Sequence, residues 1–230
     1  MIDFDCERYH DINDYIKLIA ILRSPEGCPW DRVQTHQSIR KNCLEEAYEV
    51  CEAIDENDPE HLKEELGDLL MQIIFHAGIE GDAGRFNFND VCDASCRKLI
   101  YRHPHVFGDR EANKGAEAAE VWEKAKRVEH GQTSTADAID GVARTLPSLW
   151  RAQKMLKKAA GAGYEHEADL AGCAQALEQC APEDAERLFG ELIMAAAAVA
   201  AKKGIDGEKA AQSGCDLFAA RFRQIEDKLV

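Results

Sequence analysis

Apolar residues recur along most of the chain at intervals of three and four, the spacing that places side chains on one face of an α-helix. The first stripe comprises positions 12, 15, 16, 19 and 22. Stripes of the same period follow at 39–54 and 62–77, and a further helix is predicted from about residue 90 to 102. No window alternates apolar and polar residues for long, as a half-buried strand would. The pattern predicts an all-α fold.

Proline and glycine mark the ends of these helices. The stretch 24–29 holds two prolines and a glycine and ends the first helix, and Pro104 ends the fourth. Ser38 is predicted to cap the second helix, and Pro59 to lie near the start of the third. The connection between the second and third helices is short, so these two helices should be antiparallel neighbours.

The apolar stripe is lost after about residue 108 and returns at 137. We therefore predict a first domain over 1–110, a linker over 111–136 with a short helix at 121–126, and a second domain over 137–230. The segment 188–193 echoes 65–70, and 218–222 echoes 99–103, which indicates an internal repeat. Leu188 stands in the position of Glu65, and 170–177 holds no paired glutamates. The second domain is predicted to be a structural copy without the acidic residues.

Two acidic clusters lie on the predicted helix pair. At about 100° per residue, Glu46 and Glu49 lie roughly 60° and 120° from the centre of the apolar stripe, whereas Glu45 lies roughly opposite it. The same arithmetic puts Glu65 and Asp68 roughly 100° and 160° from the stripe of the next helix. Four carboxylates, those of Glu46, Glu49, Glu65 and Asp68, could then meet at the edge of the core.

The alternative to a metal site is that these acids form an ordinary solvated helix face, as most acidic runs do. Four like charges beside a core repel each other, however, and the cationic residues on these helices are too few to neutralise them. A hard divalent cation, Mg²⁺ or Mn²⁺, fits a ligand set made only of carboxylates. A di-iron centre is disfavoured because it needs two Glu-x-x-His pairs, and the one pair here, Glu7 and His10, lies outside the paired helices.

Candidate substrate contacts lie before, on and after this helix pair in the sequence. Lys98 and Arg102 are four residues apart on one helical face and could clamp phosphate oxygens, although lone basic residues are more often solvated. Trp30 follows a proline in a polar loop, where it either caps the core or offers a stacking surface to a ligand ring. Asn42, on the helix of the first acidic cluster, is also a predicted substrate contact.

Charge and cysteine content narrow the class of protein. The formal net charge of −15 over 230 residues argues against a nucleic-acid-binding or membrane-binding surface. The amino terminus lacks the features of a signal peptide, so we expect a cytoplasmic protein. The nine cysteines include no Cys-x-x-Cys pair, which disfavours both a disulfide framework and a zinc site. Cys43, Cys51, Cys92 and Cys96 fall at helical spacings and are predicted to be small core residues.

The two acidic clusters, Glu45-Glu46-x-x-Glu49 and Glu65-x-x-Asp68, resemble the signature of the MazG family of nucleoside triphosphate pyrophosphohydrolases. Short flanking motifs strengthen the resemblance, namely those at 27–31, 34–36, 64–70, 84–86 and 102–108. It covers about 12–108 closely and 143–226 more weakly. The resemblance implies a four-helix-bundle fold, usually assembled as a dimer, and cleavage of a nucleoside triphosphate to the monophosphate and pyrophosphate.

The resemblance also implies site roles. Mg²⁺ would be held at the positions of Glu46, Glu49, Glu65 and Asp68, with Glu45 as an additional or outer ligand, while Lys98 and Arg102 match basic positions near the triphosphate. Either Glu49 or Glu45 could act as the base that activates water. A non-catalytic nucleotide-binding module is the alternative function, because half of the protein has lost the motif. The identity of the preferred triphosphate stays open.

Overall fold

The computed structural model describes residues 4–108 and 114–226 of the chain. Every regular element in these ranges is helical, which confirms the all-α prediction. The chain divides into two compact units, Met1–Asn113 and Lys114–Val230. The first unit holds α1 Ile12–Arg23, α2 Pro29–Arg32, α3 Arg40–Glu56, α4 Pro59–Asp82, α5 Phe88–Arg102 and α6 Pro104–Phe107.

The second unit is also helical throughout its described part. It holds α7 Gly115–Glu129, α8 Thr135–Asp140, α9 Ser148–Ala160, α10 Leu170–Gln179, α11 Ala185–Lys202 and α12 Gly207–Glu226. A single 3₁₀ turn, Pro182–Asp184, precedes α11. Helix α7 spans fifteen residues of the segment predicted as a linker and belongs to the second compact unit. The predicted short helix at 121–126 is the middle of this longer one.

Side-chain caps explain where the helices of the first unit begin. Asp11 and Asp14 form a reciprocal capping box at α1, and Asn87 and Asp90 form another at α5. At α4, the Asp58 side chain accepts hydrogen bonds from two backbone amides and Pro59 occupies the first helical position. The predicted role of Ser38 is wrong. Its hydroxyl group bonds within the preceding turn, to Gln34 and to the carbonyl group of Thr35, and α3 begins without a side-chain cap.

The core of the first unit lies between α1 and α4. Its buried members are Ile19, Ile39, Ile74 and Phe75, with Tyr15, Ile16, Leu22, Leu70, Met71, Ile79 and Phe88 packed around them. The predicted apolar stripe of α4 is partly wrong, because Leu66 and Ile73 are exposed. Helix α4 contacts α1, α3 and α5. Apolar residues occupy several faces of this helix, so contacts with the neighbouring helices determine which of them are buried.

The helices α3 and α4 form the most extensive pair in the first unit, joined by the two residues Asn57 and Asp58. Asn57 adopts the left-handed conformation with φ of 56°, and its backbone amide group donates to carbonyl groups in the last turn of α3. An αL residue at this position is a common helix end, and asparagine tolerates it better than other residues with a side chain. This compact turn returns α4 alongside α3.

The cysteines differ from their predicted role. Cys43 is half-buried, but Cys51, Cys92 and Cys96 are exposed in the single chain, and all nine cysteines are free thiols. The predicted core role is therefore wrong for three of the four. Their helical spacing is real, yet no helix in the described part of the chain buries the faces that carry them.

A polar network holds the loop before α3 against α4. The two ring nitrogens Nδ1 of His36 and His76 are 2.7 Å apart, and Nε2 of His36 lies 2.5 Å from Oε1 of Glu80. Arg85, in the turn after α4, also donates to Glu80, with Nη2 at 2.7 Å from Oε1. Hydrogen bonds from Arg85 and then from His36 lower the pKa of Glu80 to about 2. Burial and then His36 lower the pKa of His76.

We expect Glu80→Gln to lower the thermal unfolding midpoint at pH 7. The ordinary pKa of the Glu80 carboxyl group is 4.5 and its pKa in the fold is about 2, so the stabilisation is complete above pH 4.5 and is lost as the pH falls toward 2. The difference between the wild type and the variant should shrink over that interval. Circular dichroism melts at pH 7, 5 and 3 measure it. As a control, Glu60→Gln removes an exposed ion pair with Lys63 and should change little. A difference that persists unchanged at pH 3 would contradict the role of this charge.

Candidate metal centre

Three carboxylates from the α3–α4 pair converge. Glu46, Glu49 and Glu65 each offer one oxygen atom, and these oxygen atoms lie within 4.8 Å of one another. Glu46 and Glu49 are three residues apart on α3, which puts them on neighbouring positions of one helical face. Glu65 reaches the same point from α4 because the short turn aligns the two helices. The sequence analysis predicted that four carboxylates converge, and the structure brings these three together without the fourth, Asp68.

Burial makes the cluster electrostatically costly without a cation. Glu65 is only 9% exposed, Glu46 is half-buried, and Glu49 is exposed at the rim. Burial raises the pKa of Glu46, and the negative charges of Asp68, Glu49 and Glu65 raise it further. A raised pKa means that the folded protein disfavours the ionised form. A bound cation would favour the ionised form of Glu46, which makes the cluster a candidate metal site.

Asp68 borders the group, one turn further along α4. Its charge acts on the carboxyl group of Glu46 and on the phenol group of Tyr15, whose pKa is raised first by burial and then by Asp68. The Tyr15 hydroxyl group donates to the carbonyl oxygen of Gly67 at 3.2 Å. Asp68 is not one of the three residues whose oxygen atoms lie within 4.8 Å of each other. It therefore stands at the edge of the cluster.

The other predicted site residues occupy varied positions. Glu45 is exposed and outside the group of three, and Asn42 is half-buried on α3, one turn before Glu46. Trp30 is 61% exposed on α2, so it does not cap the core within this chain. Lys98 is exposed on α5, and within the described residues it forms no ion pair with the four acids. Arg102 is only 7% exposed.

His61 is a site neighbour that the sequence analysis missed. Its Nε2 lies 3.1 Å from Oε1 of Glu65, and its Nδ1 lies 2.9 Å from Oε2 of Glu56. The hydrogen bond to Glu56, with the charges of Glu56 and Glu65, raises the pKa of His61. The signal that could have revealed it is the four-residue spacing between His61 and Glu65, which brings two side chains of a helix together. His61 holds the Glu65 carboxylate in place.

The second unit also contains one central helix that contacts several others. Helix α11 contacts α9, α10 and α12, much as α4 contacts α1, α3 and α5. Leu188, on α11, stands in the position of Glu65 in the predicted internal repeat. Across residues 4–108 and 114–226, the group on α3 and α4 is the one place where three potential metal ligands of the His, Cys, Asp or Glu type converge.

Comparison with known proteins agrees with this geometry. The MazG nucleotide pyrophosphohydrolase domain matches residues 34–107, a range that contains the whole α3–α4 pair. A nucleoside triphosphate pyrophosphohydrolase of Escherichia coli K12 is 38% identical over an alignment 232 positions long, which covers 94% of this chain and 88% of the relative. The chain belongs to the MazG family. A Thermotoga maritima MazG protein, named a nucleoside triphosphate pyrophosphohydrolase/pyrophosphatase, is 34% identical over 222 residues, covering 93% of this chain and 85% of that protein.

The extent of these matches distinguishes the two units. The MazG domain match lies wholly within the first unit, whereas the Escherichia coli and Thermotoga relatives align with nearly the whole chain. A Mycobacterium tuberculosis nucleoside triphosphate pyrophosphohydrolase is 38% identical over 161 residues, covering 69% of this chain and 48% of its own length. No helix in the described ranges is long and apolar enough to cross a membrane.

We expect Mg²⁺ or Mn²⁺ to raise the thermal unfolding midpoint of the protein. A cation that binds only the folded state at about 100 times its Kd stabilises it by roughly 2.7 kcal/mol. Glu46→Gln and Glu65→Gln should remove the shift, because each deletes one of the three converging carboxylates. Glu64→Gln is the matched control, since Glu64 is an exposed neighbour outside the group. An equal shift in all three variants would show that the cation binds elsewhere.

Proposed function

We propose that the protein hydrolyses nucleoside triphosphates to the nucleoside monophosphate and pyrophosphate with the help of Mg²⁺. The observation that carries this proposal is the convergence of Glu46, Glu49 and Glu65 in a MazG chain. Relatives that align with nearly its whole length are named nucleoside triphosphate pyrophosphohydrolases. A role in removing unwanted nucleotides from the cellular pool follows from this activity. Nine free thiols fit a reducing compartment, and we propose a cytoplasmic location.

The donor set fits the proposed metal. MazG enzymes are metal-dependent hydrolases, and the group here consists only of carboxylate oxygens, which suit Mg²⁺ and also Mn²⁺. Glu46, Glu49 and Glu65 would hold the ion, with Asp68 beside them. When bound, the ion neutralises phosphate charge and polarises the phosphorus centre. His61 would keep the Glu65 carboxylate oriented, since a neighbour that fixes a ligand contributes to affinity.

Water activation is assigned to the exposed side of the cluster. Glu49 is exposed and offers one oxygen atom to the converging group, so its carboxylate need not be fully engaged by the metal and a water molecule can reach it. As general base it would take a proton while the water oxygen bonds to the α-phosphorus and the bond to the β-phosphate oxygen breaks, releasing pyrophosphate. Glu45, one turn earlier and exposed, is the alternative base.

Four further residues are proposed substrate contacts. Lys98 is exposed on α5 and free to approach phosphate oxygens, and Arg102 lies one turn further on the same helix. Trp30 presents an exposed ring that a nucleobase could stack on. Asn42 lies one turn before Glu46, where its amide could hydrogen-bond the substrate. We place one catalytic centre in each chain, in the domain of residues 1–110, and regard the domain of 137–230 as a degenerate copy.

We expect incubation with nucleoside triphosphates and Mg²⁺ to yield monophosphate and pyrophosphate. In water enriched with ¹⁸O, the label should enter the monophosphate, because the attack is at the α-phosphorus. Glu46→Gln should lower kcat by at least about 100-fold, since losing a ligand withdraws several kcal/mol of charge stabilisation. Glu64→Gln should retain activity. A panel of canonical and modified triphosphates would also identify the preferred base.

Two outcomes would contradict this proposal in different ways. Orthophosphate as the first product would show that water attacks the γ-phosphorus, and label in pyrophosphate would show that it attacks the β-phosphorus. Tight nucleotide binding with no product under any metal would favour the non-catalytic module instead.

We propose that two chains form a homodimer through α3 and α5. Leu44, Tyr48 and Cys51 make an exposed stripe on α3 at helical spacing, and Cys92, Cys96 and Leu99 make another on α5. Amphipathic helices normally bury such stripes. No side chain among the described residues with a large volume is fully buried, so the single chain has a thin core. A second copy would cover both stripes and complete the bundle.

We expect light scattering during gel filtration to give about twice the chain mass of 25.6 kDa. Leu99→Glu should shift the protein toward the monomer, because a carboxylate would be buried in the interface. Val128→Glu, at an exposed apolar position on α7, is the control and should leave the mass unchanged. A wild type that is monomeric at all concentrations would contradict the dimer.

A further inference from the structure

The second unit contains a cavity that the proposed hydrolysis does not use. It has a volume of about 760 Å³ and is bounded by α7, the segment from α8 to α9, and α9 itself. All its lining residues belong to the second unit. Its floor includes the buried side chains of Ala138 and Val142. Cavities of this size accept small organic ligands.

The lining is strongly basic in an acidic protein. Five of its residues are cationic and one, Glu123, is a carboxylate, although acids outnumber Lys and Arg by 43 to 28 in the whole chain. The cationic residues are Lys126, Arg127, Lys154, Lys157 and Lys158. Such a concentration creates a local positive potential that differs in sign from that of the molecule as a whole.

Helix ends alone do not account for this concentration. Cations are favoured in the last turn of a helix, which explains Lys126 and Arg127 on α7 and Lys157 and Lys158 on α9. Lys154 lies in the middle of α9 and gains nothing from the helix end. The spacing of the three lysines on α9 places them on one face, and that face lines the same cavity as the basic turn of α7.

The chain supplies little negative charge to balance these groups. Within the described residues, one ion pair involves these five cations. It joins Lys158 Nζ to Glu123 at 3.9 Å. Lys126 and Lys154 lie over the rings of Trp122 and Trp150, at 5.0 Å and 4.9 Å from the ring centroids. Lys126, Arg127 and Lys158 are half-buried, so their charges are partly withdrawn from water. A bound anion would compensate for that desolvation.

We propose that this cavity binds a small polyanion of the phosphoanhydride class, such as a nucleoside triphosphate or its pyrophosphate moiety. The Arg127 guanidinium group can form paired hydrogen bonds to phosphate oxygens, and the lysines surround them as point charges. A nucleic acid fits less well, because an extended backbone would leave the cavity and meet the acidic surface of a chain with a net charge of −15. The site is separate from the carboxylate cluster, which lies in the other unit.

Titration calorimetry tests the proposal with tripolyphosphate, pyrophosphate and ATP as probes. The full chain carrying Glu46→Gln is used in EDTA, which removes metal-dependent binding at the carboxylate cluster, and failure of the proposed hydrolysis does not affect the result. We expect saturable binding of at least one probe. Binding of tripolyphosphate as tight as that of ATP would show that the phosphates alone are recognised, whereas tighter binding of ATP would show a contribution from the nucleoside.

Variants separate the cavity from the general surface. Lys126→Gln with Arg127→Gln should weaken binding by about tenfold or more, the effect of losing charge-assisted hydrogen bonds. The control is Lys202→Gln with Lys203→Gln, which makes the same charge change at exposed positions in the same unit. If the first pair disturbs folding by circular dichroism, Lys157→Gln replaces it, because this side chain is exposed.

A protein whose only tryptophan is Trp122, made by Trp30→Phe and Trp150→Phe, gives an independent optical readout. Its fluorescence should change with the same midpoint as the calorimetric titration. The proposal is overturned if no probe binds saturably, if both variant pairs weaken binding equally, or if a single-stranded oligonucleotide binds while the small polyanions do not.

Discussion

The repulsion among the carboxylates on α3 and α4 is the constraint on which the first unit depends. Glu65 is buried and Glu46 is half-buried, and burial together with the neighbouring negative charges raises the pKa of Glu46. The α3–α4 pair withstands this repulsion because the turn at Asn57 and the apolar contacts with α1 fix the helices. The free energy that keeps the acids together is thus supplied by groups that take no part in chemistry.

Local patterns predicted the helices and most of the cluster well. The convergence of Glu46, Glu49 and Glu65 follows from helical spacing and a short turn, both of which are local properties. The buried face of α4 was predicted less well, since Leu66 and Ile73 are exposed. Apolar residues surround much of that helix, so the choice among them depends on neighbours that are distant in sequence. The contact of His61 with Glu65 likewise requires knowing which side chains face each other.

The two units carry charge clusters of opposite sign. In the first, acids converge between α3 and α4, and in the second, cations line a cavity beside α7 and α9. If both proposals hold, a polyphosphate-bearing molecule would bind the first surface through a metal ion and the second surface directly. A second unit that is a degenerate copy, as we propose, could therefore still bind phosphate.

The two-residue connection between α3 and α4 fixes the rotational position of the α4 side chains relative to those of α3. Each residue added to a helix turns its side chains by about 100° and advances them by about 1.5 Å. One residue inserted between Asn57 and Glu65 within the helical register would turn Glu65 away from Glu46, even if every ligand were retained. The geometry of the site therefore depends on the length of this hairpin, and the spacing from Asn57 to Glu65 matters to it as well as the acids.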